Sequence, residues 1–173
     1  LRSEIQKGQD YRVTNPYGTF SYNMQSVQRY PWKDDDIVVV KVNVTNTQSV
    51  TLSLPELKGA LKMDNLDLTS STELLMDKDA SELAPGQTAE IVLLAKIPYA
   101  EQFDMLNINM YTTANEEKYS FLSLNTNSAL NDISTIKQGD SYTVTGKGKN
   151  AKVQENRTTI YSGAGNSKIV YTE

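Results

Sequence analysis

The sequence predicts an all-β protein, an antiparallel two-sheet sandwich, and three observations carry that prediction. In Ile37 to Thr45, read I-V-V-V-K-V-N-V-T, Val38, Val40, Val42 and Val44 recur at a period of two while Lys41, Asn43 and Thr45 take the other side. Successive side chains of a strand point to opposite faces, so this is a ribbon with one valine face buried and one face turning polar. Thr88 to Ile97 repeats the pattern with Ala89, Ile91, Leu93, Ala95 and Ile97 on one face. The remaining apolar runs are short and bounded by turn residues, with almost no helical periodicity, and many short strands with turn signals between them indicate two packed sheets.

Taken in order, Tyr11 and Val13 alternate with Asp10 and Arg12 in a strand closed by Asn15-Pro16-Tyr17-Gly18. Phe20 and Tyr22 open a second strand that can continue through Met24, Ser26 and Val27. Tyr30 to Asp36 reads as a polar connection carrying two aromatics into the valine strand. Asn46 to Ser49 is a turn; Val50, Leu52 and Leu54 then alternate until Pro55. Leu57 to Leu68 reads as strands with a turn at Asp64-Asn65, and Glu73 to Asp77 as a connection. Leu83-Ala84-Pro85-Gly86-Gln87 is a turn in which Pro sets φ and Gly tolerates positive φ. Strands are expected around Leu106, Ile108 and Met110, and over Tyr119 to Leu124.

This gives a sandwich over 1–126 and a linker over 127–135, where the one weak helical pattern falls. Beyond it, Ile136, Gly139, Tyr142, Val144 and Thr145 echo Ile5, Gly8, Tyr11, Val13 and Thr14 at a constant offset of 131 residues. Tyr30 and Tyr161 keep that offset, and after one inserted residue Ile37-Val38 align with Ile169-Val170. Residues 136–173 therefore read as the opening strands of a second copy. An unfinished sandwich exposes strand edges, so 136–173 is expected to enter β-pairing or strand exchange with another segment.

Composition narrows function by exclusion. A net charge of −4 and a pI near 5.0, with no run of Lys or Arg, leave no footprint for nucleic acid or an anionic membrane surface. No apolar run approaches a bilayer span, and Leu1-Arg2-Ser3-Glu4 does not read as a signal peptide, so any targeting segment or anchor is expected outside this sequence. Zero cysteines exclude disulfides and thiolate chemistry within the chain, and zero histidines remove the commonest general base and the commonest zinc ligand. No catalytic residue, cofactor or metal site is expected, and the chain reads as a non-enzyme.

Asp34-Asp35-Asp36 brings three carboxylates together, but adjacent residues cannot all turn toward one ion and the D-x-D-x-D-G spacing is missing, so the loop reads as a solvated turn. Lys147, Lys149 and Lys152 read as a solvated basic hairpin, and the Asn43 and Asn156 glycosylation patterns as chance. Tyr17, Tyr30 and Trp32 lie in or beside two early loops. They can form an aromatic platform for a sugar ring or a protein; the plainer alternative puts Tyr30 and Trp32 inside one end of the sandwich core.

The order K-G-x-x-Y-x-V (from Lys7), D-I-V-V-V-K-V-N-V-T-N-T-Q (from Asp36) and L-A-P-G-Q-T-A-E-I-V-L-L-A-K-I-P (from Leu83) resembles the immunoglobulin-like domains of Gram-positive cell-surface lipoproteins, which are similar in fold to a secreted mycobacterial immunoprotective antigen. The resemblance covers about residues 5–124. It implies an immunoglobulin-like sandwich at the cell surface, on a lipid anchor upstream of this sequence, and brings no catalytic residues. The long Leu57 to Glu82 segment departs from the pattern. The expected function is a non-catalytic surface module binding a protein or cell-wall component, or acting as a spacer; the alternative is a carbohydrate-binding module using Tyr17, Tyr30 and Trp32.

Overall fold

The computed structural model describes residues 5–99, 101, 103–127, 139–146, 149–154, 158–162 and 168–172. The chain divides into two compact units, Leu1–Ile133 and Ser134–Glu173. The linker expected over 127–135 lies, from 128 on, outside the described residues.

The first unit is an antiparallel β-sandwich. Its five-stranded sheet contains β1 (Asp10–Asn15), β2 (Gly18–Trp32), β3 (Asp35–Asn46), β7 (Glu73–Met76) and β9 (Thr88–Pro98), in the order β1-β2-β3-β9-β7. The four-stranded sheet contains β5 (Lys58–Met63), β6 (Leu66–Asp67), β10 (Leu106–Ala114) and β11 (Glu117–Thr126), in the order β11-β10-β5-β6. A small pair, β4 (Leu52–Ser53) with β8 (Glu82–Leu83), flanks them.

The valine strand is the middle of the larger sheet, paired with β2 on one side and β9 on the other. Its alternation is realised in full: Val38, Val40, Val42 and Val44 are buried, against Ile91, Leu93, Ala95 and Ile97 of β9 and Leu61, Leu106, Ile108 and Met110 from the facing sheet. The layers meet closely at Gly59 of β5, where a Cβ would stand 2.8 Å from Leu93 Cδ2 and 3.1 Å from Thr72 Cγ2. A larger residue there requires the Leu93 side chain to shift.

Three expectations are corrected. The connection expected over Tyr30 to Asp36 is mostly strand: β2 runs to Trp32 and β3 begins at Asp35, leaving a two-residue turn with Lys33 at φ 58°. Glu73–Met76 is a strand, because Leu74 and Met76 pack on the core while Leu75 pairs with Val92. The segment expected to alternate from Val50 to Leu54 reduces to Leu52–Ser53, with Val50 exposed.

The departure over Leu57 to Glu82 is a crossing between layers. A 3-10 turn over Thr69–Ser71 carries the chain from β6 to β7. Thr72 fixes it, its hydroxyl donating to Leu68 O at 2.8 Å and accepting from Leu61 N–H at 3.2 Å.

Asn46 closes the far end of β3. Fully buried, its amide donates to Val50 O at 2.7 Å and Leu83 O at 2.8 Å, and its carbonyl accepts from Gln48 N–H at 2.8 Å. Truncation removes all three bonds and strands the Leu83 carbonyl in the interior, and a buried unpaired group costs about 1–3 kcal/mol. Asn46→Ala is therefore expected to lower unfolding free energy by about 2–4 kcal/mol in urea titration, against less than about 0.5 kcal/mol for Asn43→Ala on the outer face of the same strand.

Candidate interaction surface

The structure separates the three predicted aromatics. Tyr17 sits in the turn before β2, whereas Tyr30 and Trp32 lie at its far end, about 45 Å away at strand spacing. One platform of all three is therefore excluded. Tyr17 is partly buried, its ring 6.3 Å from that of Phe121 and its N–H donating to Asn15 Oδ1 at 2.8 Å.

Tyr30 and Trp32 are 47% and 51% exposed, which overturns the alternative that they fill the core. The cause is a β-bulge. Before it, the even-numbered residues Phe20, Tyr22 and Met24 face inward; Gln25 is an extra residue between Met24↔Val42 and Ser26↔Lys41. After it the odd-numbered positions face inward, beginning with buried Val27, and Tyr30 and Trp32 turn to solvent.

On this outer face, cross-strand register assembles an apolar run. Tyr30 pairs with Ile37; two residues on, Val39 pairs with Leu94; two residues further along β9, Val92 pairs with Leu75 of β7. Directly opposed Cβ atoms lie about 4.5–5.5 Å apart and same-face neighbours on a strand about 7 Å, so these side chains form one continuous surface. Ile37, Val39, Val92 and Leu94 half-cover one another, and Leu75 is 52% exposed. Lys41, Glu73, Glu90 and Lys96 border the run on the same face. A shallow depression of about 140 Å³ lies at its β7 end, between Leu75, Asp77, Glu90 and Val92.

At the opposite end of the sandwich, Pro16, Tyr17, Ala114, Lys118, Tyr119 and Ser120 line a groove of about 490 Å³. Two of its polar side chains are engaged within the chain: the Tyr119 hydroxyl donates to Glu117 at 2.8 Å, which raises its pKa, and the Lys118 ammonium stands 4.8 Å above the Tyr111 ring.

The acidic loop is not uniformly a solvated turn. Asp34 and Asp35 are exposed, but Asp36 is buried and accepts from Arg29 Nε at 2.6 Å. The guanidinium also donates to Pro98 O at 3.3 Å and to Glu101 O, tying the β2–β3 hairpin to the connection after β9. Sequence reasoning missed this pair because Arg29 takes the inward parity only beyond the bulge. Among the described residues no group of three or more carboxylates converges as metal ligands would. Of the glycosylation patterns, Asn43 lies on the outer face of β3, and Asn156 lies outside the described residues.

No protein-family model matches the chain, and a comparison with curated proteins also finds no match.

Removing one member of a buried ion pair leaves a desolvated charge, at a cost of about 3–5 kcal/mol, whereas replacing both by apolar groups is close to neutral. Arg29→Met is expected to destabilise by about 3 kcal/mol in chemical denaturation, and Arg29→Met with Asp36→Leu to recover most of that loss.

Proposed function

We propose that this chain is a non-catalytic extracellular module that binds a protein through the outer face of its five-stranded sheet. The single observation carrying the proposal is the continuous run from Trp32 and Tyr30 through Ile37, Val39, Leu94 and Val92 to Leu75 on a face that a sandwich normally gives to polar residues. Exposed aromatic anchors, an aliphatic centre and a charged border are the anatomy of a protein-binding patch.

The immunoglobulin-like reading is supported by connectivity. In chain order β2, β3, β5, β7, β9, β10 and β11 take the places of strands A to G: A, B, E and D share one sheet and C, F and G the other, with β1 and β6 as additions at the edges. That reading carries with it a cell-surface location on a lipid anchor outside these residues. A rigid scaffold of this kind also serves as a spacer, with recognition left to its faces and loops.

A carbohydrate-binding reading is favoured by one feature, the outward pair Tyr30 and Trp32 about 7 Å apart along β2. Two rings at that spacing can stack a sugar, and the Tyr30 hydroxyl is held by Gln28 beside it.

The two readings separate because Leu75 lies three strands from Trp32, about 14 Å across the sheet. A photo-crosslinking residue at position 75, on chain presented to intact Gram-positive cells, is expected to give a protein adduct absent when the residue is at position 43. Val39→Lys and Leu75→Lys should each weaken that association about tenfold or more with an unchanged melting temperature. Equal binding by parent and lysine variants, together with retention on purified wall glycan that Trp32→Ala alone abolishes, would reject the protein reading for the carbohydrate one.

A further inference from the structure

The second unit contains two hairpins, β12 (Ser141–Gly146) with β13 (Lys149–Gln154), and β14 (Thr158–Ser162) with β15 (Lys168–Thr172). Their registers are those of the first unit, shifted. Adding 131 to both members of every β1–β2 pair, from Asp10↔Asn23 to Asn15↔Gly18, gives every β12–β13 pair, from Ser141↔Gln154 to Gly146↔Lys149. Adding 131 to the β2 member and 132 to the β3 member turns Val27↔Val40 through Pro31↔Asp36 into Thr158↔Thr172 through Ser162↔Lys168, the whole of the second hairpin. The extra residue falls within 163–167, outside the described residues. A positive-φ glycine coincides as well: Gly8 (φ 76°) and Gly139 (φ 89°) each stand two residues before the first strand of their unit.

We infer that Ser134–Glu173 is built on the template of β1, β2 and β3, and that its last strand, β15, is an acceptor edge for an extended strand with the side-chain pattern of β9. The template defines the occupant. In the first unit the residues equivalent to β15, Asp36 to Val40, pair with β9 from Ile97 back to Leu93. Among the described residues β15 pairs with β14 alone. The occupant is therefore an antiparallel segment of the L-L-A-K-I type, opposed to Lys168 at its Ile and to Thr172 at its first Leu. Backbone hydrogen bonds supply the affinity of such strand addition and alternate side chains its specificity. This inference rests on backbone register and stands apart from the proposed use of the outer face.

The test appends the sequence of Thr88–Pro98 after Glu173 of the full chain through a flexible glycine–serine linker of about 10 residues, so that docking is intramolecular. Hydrogen exchange of the Lys168–Thr172 amides is expected to slow about tenfold or more relative to the parent. The same appendage with its copies of Ile91 and Leu93 replaced by Asp should give no slowing. Unchanged exchange, equal slowing by both appendages, or protection arising only on strands of the first unit would overturn the inference. So would a parent chain that sediments as a dimer with these amides already protected, since β15 would then pair with itself.

Discussion

The structure depends on the placement of one strand between two others. β3 takes backbone partners from β2 and β9 along nearly its whole length, and its four even-numbered valines must reach the core together. A slip of one residue against either neighbour would send all four to solvent, at about 2 kcal/mol for each buried valine. That demand passes sideways. β9 must offer Ala89, Ile91, Leu93, Ala95 and Ile97 to the same side, and β2 must either match the alternation or be corrected. The bulge at Gln25 is the correction. It lets Tyr22 and Met24 on one side and Val27 on the other all reach the interior.

Face alternation forbids a slip of one residue but permits a slip of two. Polar groups at both ends of β3 remove that freedom. Asp36 at the start meets Arg29 and, through it, the carbonyls of Pro98 and Glu101; Asn46 at the end meets Leu83 and Val50. Moving β3 by two residues along β2 would part Asp36 from Arg29, and moving it along β9 would carry Asn46 away from Leu83 O, leaving buried groups unpaired in either case. The apolar valines thus supply the drive to bury the strand, and the two polar ends fix where it stops.

How much of this was legible follows from which signals are local. Val38 to Val44 and Ala89 to Ile97 announce their buried faces by composition alone, and Pro85-Gly86 announces its turn, so both long inner strands are readable from the sequence. Glu73–Met76 is not, because four residues with two facing inward carry too short a period. The aromatics were legible in part. Tyr30 and Trp32 read as residues of a connection with an exposed or a core placement both open, and nothing in Met24-Gln25-Ser26 marks the extra residue that turns them outward on a strand. The same unseen parity change hid the Arg29–Asp36 pair. The outer patch was half visible: Ile37 and Val39 precede Lys41, Asn43 and Thr45 on one face of β3, but their continuation through Leu94, Val92 and Leu75 exists only once the register is known.

On the template inferred for the second unit, strand pairing and side-chain character can be compared position by position. The offset of 131 holds on both sides of residues 155–157, so the second unit keeps the same number of residues between its two β2-like halves as β2 keeps around its bulge. At the positions that carry the outer patch, Tyr30 aligns with Tyr161, Ile37 with Ile169 and Val39 with Tyr171, while Trp32 has no fixed counterpart because the extra residue falls within 163–167. The register of two hairpins is thus reproduced while the aliphatic Val39 gives way to an aromatic residue. An insertion within a strand turns every later side chain to the other face, as the bulge at Gln25 does, whereas a substitution leaves the pairing intact, and a solvent-facing side chain is held by no such constraint. The repeat inferred for the second unit therefore rests on strand register, with individual side chains free to change.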